Sequence, residues 1–132
     1  MRLWTRLTSF SQAAGLRYPP LGRLVQLPHG AVHVFADGAG TGPPLVLLHG
    51  ASGNLRDFTL SILPLLAQHQ RVIAIDRPGF GHSDPVPEGW RLRIQVAVLR
   101  SVLHRLGYER YHIIGHSYSG ALALAWAIVH SR

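Results

Sequence analysis

The sequence has no cysteine, no lysine and no long apolar run. The absence of cysteine excludes disulfide bonds and cysteine-ligated zinc sites. A membrane-spanning helix needs about 20 consecutive apolar residues, and the most apolar stretch, residues 121–129, has only about half that length. Such a stretch is typical of a buried helix in a globular domain.

Acidic residues are scarce as well. Six of them stand against thirteen arginines, which gives a formal net charge of +7. The arginines are spread from Arg2 to Arg132, and the densest grouping is the pair Arg91 and Arg93. Nucleic-acid-binding proteins gather their positive charge on one face or stripe, so we expect no nucleic-acid partner. The length of 132 residues and the apolar content of 47% suit one domain with a substantial core.

Residues 1–20 are predicted to form an N-terminal amphipathic arm, which ends at the tandem prolines Pro19 and Pro20. We expect this arm to pack on the domain. Contact of residues 1–18 with a membrane surface, or a targeting role, is the alternative. The expected apolar helical face consists of Leu3, Trp4, Leu7, Phe10 and Ala14.

Beyond the arm, strand patterns and helix patterns alternate. Two short β-type segments come first, and three continuous apolar runs follow, each of strand length and typical of strands buried on both faces. Helical periods separate these runs. The order predicts an α/β fold, with a mostly parallel sheet of about five strands and helices on both faces. The predicted strands are residues 23–27, 31–36, 45–49, 71–76 and 111–116.

The helical segments carry their own start and stop signals. Residues 55–69 have a helical period, with Asn54 as a possible cap, and Pro64 should kink or restart the helix. The apolar stripe of residues 92–106 predicts a second helix that Gly107 closes. A third, alanine-rich helix should begin at about Ser119.

Each of the three apolar strands leads into a glycine-rich segment, namely residues 49–54, 76–81 and 115–120. Active sites of open α/β sheets lie at the carboxyl ends of the parallel strands. In the last segment, Ser117 stands between a strand and a helix, and the small residues Gly115 and Ser119 flank it two positions away on either side. This pattern predicts a strained turn that exposes a nucleophilic hydroxyl at a helix N-terminus.

On these segments the chain resembles the serine-nucleophile branch of the α/β-hydrolase superfamily. The sequences PPLVLLHGASGN, RVIAIDRPGFGHSD and YHIIGHSYSGALALAW match that family's third strand, fourth strand and nucleophile elbow, in the family's order. The resemblance covers about residues 22–131. It implies that residues 21–132 are the N-terminal half of a hydrolase core domain, with the cap and the C-terminal half absent.

The resemblance also implies the roles of particular residues. Ser117 would be the nucleophile, and the backbone N–H groups of Ala51 and Tyr118 would form the oxyanion hole. A serine at this position argues against the haloalkane and epoxide branches, which use aspartate there. Asp76 would belong to a structural turn. No cofactor and no metal ion are expected. The residues expected to support the site are His49, Gly50, Gly115, Ser119 and Gly120.

A serine nucleophile needs a base and a group that orients the base. Residues 118–132 contain no acid, and their only histidine, His130, would lie roughly 20 Å along the helix from Ser117. In the resembled family the acid and the histidine follow later strands. We therefore expect this chain to be a fragment with little or no turnover of its own.

Three functions remain open at this point. The first is a fragment of a hydrolase that acts on a small ester, thioester or related carbonyl substrate. The second is a non-catalytic accessory or ligand-binding protein, similar to the hydrolase-like partner of magnesium chelatase. The third is an interaction module that gains its missing strands from another chain. For the hydrolase we expect a small-molecule substrate and a cytoplasmic location, with peripheral membrane attachment as the alternative.

Overall fold

The computed structural model describes residues 17–130, so most of the predicted N-terminal arm lies outside the described residues. Within them, five strands form one sheet and four helices pack around it. The strands are β1 (Arg23–Leu27), β2 (Gly30–Asp37), β3 (Leu45–Leu48), β4 (Val72–Ile75) and β5 (His112–Gly115). The helices are α1 (Arg56–Thr59), α2 (Ile62–Leu66), α3 (Leu92–Arg105) and α4 (Tyr118–His130).

The strands lie in the order β1-β2-β4-β3-β5. β3 pairs in parallel with β4 on one side and β5 on the other, whereas β1, β2 and β4 pair antiparallel. A helical segment connects β3 to β4 and another connects β4 to β5, as parallel neighbours require. The predicted α/β class is confirmed, with a parallel core and an antiparallel hairpin at one edge.

Both faces of the central strands are covered, because side chains alternate between the two faces of a strand. Val46 and Leu48 of β3 face the side on which α3 and α4 pack, through Leu99, Leu103 and Leu122 among others. Leu45 and Leu47 face α1 and α2 and contribute to a second apolar cluster. Every residue of β3 and β4 is buried, as their uninterrupted apolar sequences predict.

The segment after β3 is broken into two short helices. α1 ends at Thr59 and α2 begins at Ile62, so the predicted restart occurs just before Pro64. Pro64 then lies in the first turn of α2, where its missing N–H has no helical partner to lose. The side chain of Asn54 accepts a hydrogen bond of 2.9 Å from the Arg56 N–H at the start of α1.

β5 differs from its prediction. Its residues alternate between exposed and half-buried, so the expectation of a strand buried on both faces is wrong for the part of the chain described. The reason is its place at the edge of the sheet, where β3 is its one partner. The outer face of α4 is exposed and apolar as well, with Leu124 63% and Ile128 74% exposed.

No helix between residues 17 and 130 has the length and apolar character needed to cross a bilayer.

The two faces of α4 should respond differently to truncation. Leu122→Ala removes a fully buried side chain from the core and should lower the free energy of unfolding by about 2–5 kcal/mol. Leu124→Ala on the exposed face should change it by less than about 0.5 kcal/mol. Urea denaturation of both variants measures the contrast, and equal losses would contradict the described packing of α4.

Candidate functional site

The turn between β5 and α4 has the backbone geometry of a strained elbow. Ser117 has a φ of +54°, a conformation that residues with a side chain rarely adopt. At Gly115, an added Cβ would overlap the backbone carbonyl of Ser119, so strand and helix can pass here only with glycine. Gly120 is less constrained, since its added Cβ would meet only the Gly115 carbonyl oxygen, at 3.9 Å.

Ser119 links the elbow to the end of β3. Its side chain is fully buried, and its hydroxyl donates a hydrogen bond to the backbone carbonyl of His49. A glycine at this position would make the same tight turn but could not form this bond. The serine therefore holds the beginning of α4 against the neighbouring strand.

The loop after β3 lies directly against Ser117. A Cβ added to Gly50 would stand 3.2 Å from His116 Nδ1 and 3.5 Å from Ser117 Cβ, so a larger residue would crowd this contact. Within residues 17–130, the N–H groups of Ala51 and Tyr118 donate to no protein acceptor. Two free N–H groups on backbone segments that meet at a serine can stabilise an oxyanion.

His49 is fully buried, and both of its ring nitrogens are engaged. Nε2 accepts a hydrogen bond of 3.0 Å from the Arg77 N–H, which assigns the proton to Nδ1, 2.8 Å from the Gly50 carbonyl oxygen. Burial lowers the pKa of His49, and it outweighs the opposing effect of the bond to Gly50. The ring is thus a neutral link between two loops.

Arg77, which is 1% exposed, was not predicted from the sequence as a residue of the site. Its guanidinium donates to the carbonyl oxygens of His49 at 3.3 Å, Gly50 at 2.9 Å and Ala51 at 3.5 Å. Burial lowers the pKa of Arg77. Its position directly after a buried strand was the sequence signal that could have identified Arg77 as a site residue. Its neighbours in sequence, however, do not show which loop it contacts.

Gln95 was missed as well. It is buried on α3, where its side-chain oxygen accepts a 2.9 Å hydrogen bond from Arg77 and its amide donates to the Tyr118 hydroxyl at 3.1 Å. The rings of Phe80 and Tyr118 lie close to the guanidinium, with their centres 4.4 and 4.5 Å from its carbon. A polar residue within the buried stripe of α3 was the sequence signal for this contact.

Asp76 connects three parts of the fold. Its carboxylate accepts hydrogen bonds from the Leu55 N–H at 2.7 Å, the His82 N–H at 2.9 Å and His33 Nδ1 at 2.8 Å. Burial by itself raises the pKa of Asp76, but the bond from His33 and the two backbone bonds lower it below its usual value. Both carboxylate oxygens are occupied by these structural contacts.

The Ser117 hydroxyl has no hydrogen-bond partner within residues 17–130. His130 lies at the far end of α4, where its ring is 3.3 Å from Arg100, and His116 is exposed beside the serine in sequence. Over the same residues there is no group of three histidine or acidic side chains that could hold a metal ion.

Residues 43–132 match the family described as the alpha/beta hydrolase fold. The chain is 38% identical over 105 residues to a 2-hydroxy-6-oxononadienedioate/2-hydroxy-6-oxononatrienedioate hydrolase of Cupriavidus pinatubonensis, covering 76% of this chain and 36% of the relative. It is 36% identical over 89 residues to a soluble epoxide hydrolase of Corynebacterium sp., covering 67% of this chain and 31% of the relative.

Among solved structures, Cfl2 of Burkholderia cenocepacia superposes with a TM-score of 0.77 at 27% identity, over 83% of this chain and 37% of that one. In all three comparisons the chain spans about a third of the relative's length, between 31% and 37%. The family match over residues 43–132 and the two relatives named as hydrolases confirm the expected superfamily.

The two glycines of the elbow should differ in their tolerance of a methyl group. Gly115→Ala forces a clash with the Ser119 backbone and should lower the free energy of unfolding by about 1–3 kcal/mol or more. Gly120→Ala has room and gains helix propensity, so it should be neutral or stabilising by up to about 1 kcal/mol. Denaturant unfolding compares the two, and a harmless Gly115→Ala would rule out the described elbow.

Asp76 should make stability depend on acid pH. Its pKa is lower in the folded chain than in the unfolded chain, so its contribution is complete above the unfolded value of about 3.9 and disappears as pH falls through the folded value. Asp76→Asn leaves buried N–H groups short of acceptors and should cost about 1–3 kcal/mol at neutral pH.

The difference between wild type and Asp76→Asn should shrink as pH falls below about 4. Urea unfolding across this pH range measures it. Asp37→Asn at the exposed end of β2 is the matched control. A difference that stays constant with pH would show that the Asp76 charge plays no part in stability.

Proposed function

Because the chain belongs to the α/β-hydrolase family, we propose that it supplies the nucleophile and the oxyanion hole of a serine hydrolase. Its substrate would be a small ester, thioester or related carbonyl compound. The observation that carries the proposal is the strained backbone of Ser117, with a φ of +54°. The loop after β3, with its free Ala51 N–H, lies against this residue.

In the proposed reaction, Ser117 Oγ attacks the carbonyl carbon and loses its proton to a base. The carbonyl oxygen becomes an oxyanion, which the N–H groups of Ala51 and Tyr118 stabilise. Removing one such donor typically costs about 3–4 kcal/mol of transition-state stabilisation. When the tetrahedral intermediate collapses, it expels the leaving group and leaves an acyl-serine, which water then hydrolyses.

The base and the acid that orients it are proposed to come from outside residues 17–130. His49 is unsuited to the task, since its Nε2 already accepts a hydrogen bond and burial lowers its pKa. The carboxylate of Asp76 is held by three donors. The chain covers 36% of one relative's length and 37% of another's. This is consistent with catalytic groups that lie elsewhere in a longer protein.

A cavity of about 550 Å³ beside the oxyanion loop supports a small and mostly apolar substrate. Ala51 and Tyr118, the two residues whose N–H groups are the proposed oxyanion donors, are among its lining residues. Five of its apolar lining residues are Pro78, Phe80, Pro85, Val86 and Trp90. One relative is named as a hydrolase of hydroxy-oxo dicarboxylates and another as an epoxide hydrolase. The serine at position 117 favours the carbonyl chemistry.

A fluorophosphonate tests the nucleophile directly. Ser117 Oγ should attack phosphorus and expel fluoride, and the chain should gain one phosphonyl group at Ser117 at alkaline pH, where hydroxide can replace the missing base. Intact-mass and peptide mass spectrometry measure the site and the rate. Ser117→Ala should not be labelled, whereas Ser119→Ala removes the neighbouring hydroxyl and should still react at Ser117.

Absence of label at Ser117 in the folded chain would contradict the proposal and favour the accessory or ligand-binding alternative. Turnover of p-nitrophenyl acetate should remain near the uncatalysed rate. Rapid turnover that Ser117→Ala abolishes would support the nucleophile but overturn the proposal that the base lies outside the described residues.

A further inference from the structure

The buried guanidinium of Arg77 has an unusual set of partners. In the described part of the chain it forms no ion pair, although a buried cation is usually matched by a carboxylate. Its hydrogen bonds go to three consecutive backbone carbonyls, those of His49, Gly50 and Ala51, and to the Gln95 amide oxygen. Three of its four acceptors thus belong to a single loop.

The Gly50 carbonyl oxygen accepts three hydrogen bonds, one of them from the Gly53 N–H at 3.3 Å and two from buried side chains. Arg77 Nη2 donates to it at 2.9 Å, and His49 Nδ1 lies 2.8 Å from the same oxygen. In a trans peptide the C=O and the following N–H point in opposite directions. The other end of this peptide unit is the Ala51 N–H, which has no acceptor within residues 17–130.

Hydrogen bonds along a chain polarise one another, and those with a charged donor are the stronger ones. A peptide whose carbonyl accepts from a guanidinium therefore has a more positive N–H. The same bonds fix the orientation of the peptide plane. Both effects act on the N–H that the proposed function assigns to the oxyanion.

We propose that Arg77 is a positioning residue of the oxyanion hole, which orients and polarises the Gly50–Ala51 peptide through the Gly50 carbonyl. This inference rests on the proposed function in one respect, namely that the Ala51 N–H binds the oxyanion. The polarised peptide itself can be measured without any reaction. Phe80, Tyr118 and Gln95 hold the guanidinium in place.

Two measurements test the proposal on the full chain. The first is the amide resonance of Ala51 in a ¹H–¹⁵N correlation spectrum. Arg77→Met should move this resonance upfield, because the hydrogen bond to Gly50 is lost. The second is the rate of fluorophosphonate labelling at Ser117, which should fall about 10- to 100-fold. Arg93→Met, an exposed arginine of α3, is the matched control and should change neither.

Arg77→Lys is a second variant, which tests the proposal if Arg77→Met does not fold. Lysine keeps the charge but lacks the planar fork that reaches several carbonyls, so its labelling rate should lie between those of wild type and Arg77→Met. Added methylguanidinium should raise the labelling rate of the folded Arg77→Ala chain, which a loss of stability alone would not predict.

The outcomes separate this inference from the proposed function. An unchanged Ala51 resonance together with an unchanged labelling rate in folded Arg77→Met would overturn the role of Arg77, while labelling of wild type would still support the serine nucleophile. If wild type is not labelled at Ser117, the proposed function fails. The Ala51 resonance then decides alone: a shift supports the polarised peptide, and no shift overturns it.

Discussion

The contact between the Ser117 turn and the loop after β3 constrains the rest of the site. β3 and β5 are parallel neighbours, so their carboxyl ends arrive side by side. Gly50 leaves room for the serine, and Gly115 lets α4 pass close to β5. The Ser119 hydroxyl then closes the contact with a bond to His49. The proposed oxyanion donors are therefore placed by backbone register, with side chains as supports.

The adjacent residues Asp76 and Arg77 serve backbone groups of opposite polarity. The carboxylate of Asp76 accepts from the N–H groups of Leu55 and His82, and the guanidinium of Arg77 donates to the carbonyls that follow β3. Each charge is thus compensated by backbone dipoles. Because these two residues directly follow β4, the central strand of the described sheet, they connect the loop after β4 with the segment after β3.

β5 and the outer face of α4 expose an apolar surface. β3 and β4 are covered on both faces, whereas Ile114, Leu124 and Ile128 are 44 to 74% exposed. An edge strand with unpaired backbone groups beside an apolar helix face is costly in water. Stability in the described chain therefore depends mainly on α3, on the inner face of α4 and on the cluster around α1 and α2.

Much of the fold followed from local patterns. Uninterrupted apolar runs located β3 and β4, the period of 3.6 located α3, and Gly107 closed that helix with a φ of +89°. The same reasoning failed for the burial of β5. Its apolar sequence favours burial, but the elements packed against β5 determine how much of its surface is buried.

The sequence by itself determined the order of strands and helices, the elbow around Ser117 and the superfamily, since these depend on residue types at short spacings. Only the tertiary structure decided which groups serve that elbow. Arg77 and Gln95 lie 40 and 22 positions before Ser117, and no local pattern links them to it. Arg77 reaches the loop after β3 because the parallel sheet brings the strand ends together, and Gln95 reaches Arg77 and Tyr118 from α3. Burial then restricts each polar side chain to the partners within reach.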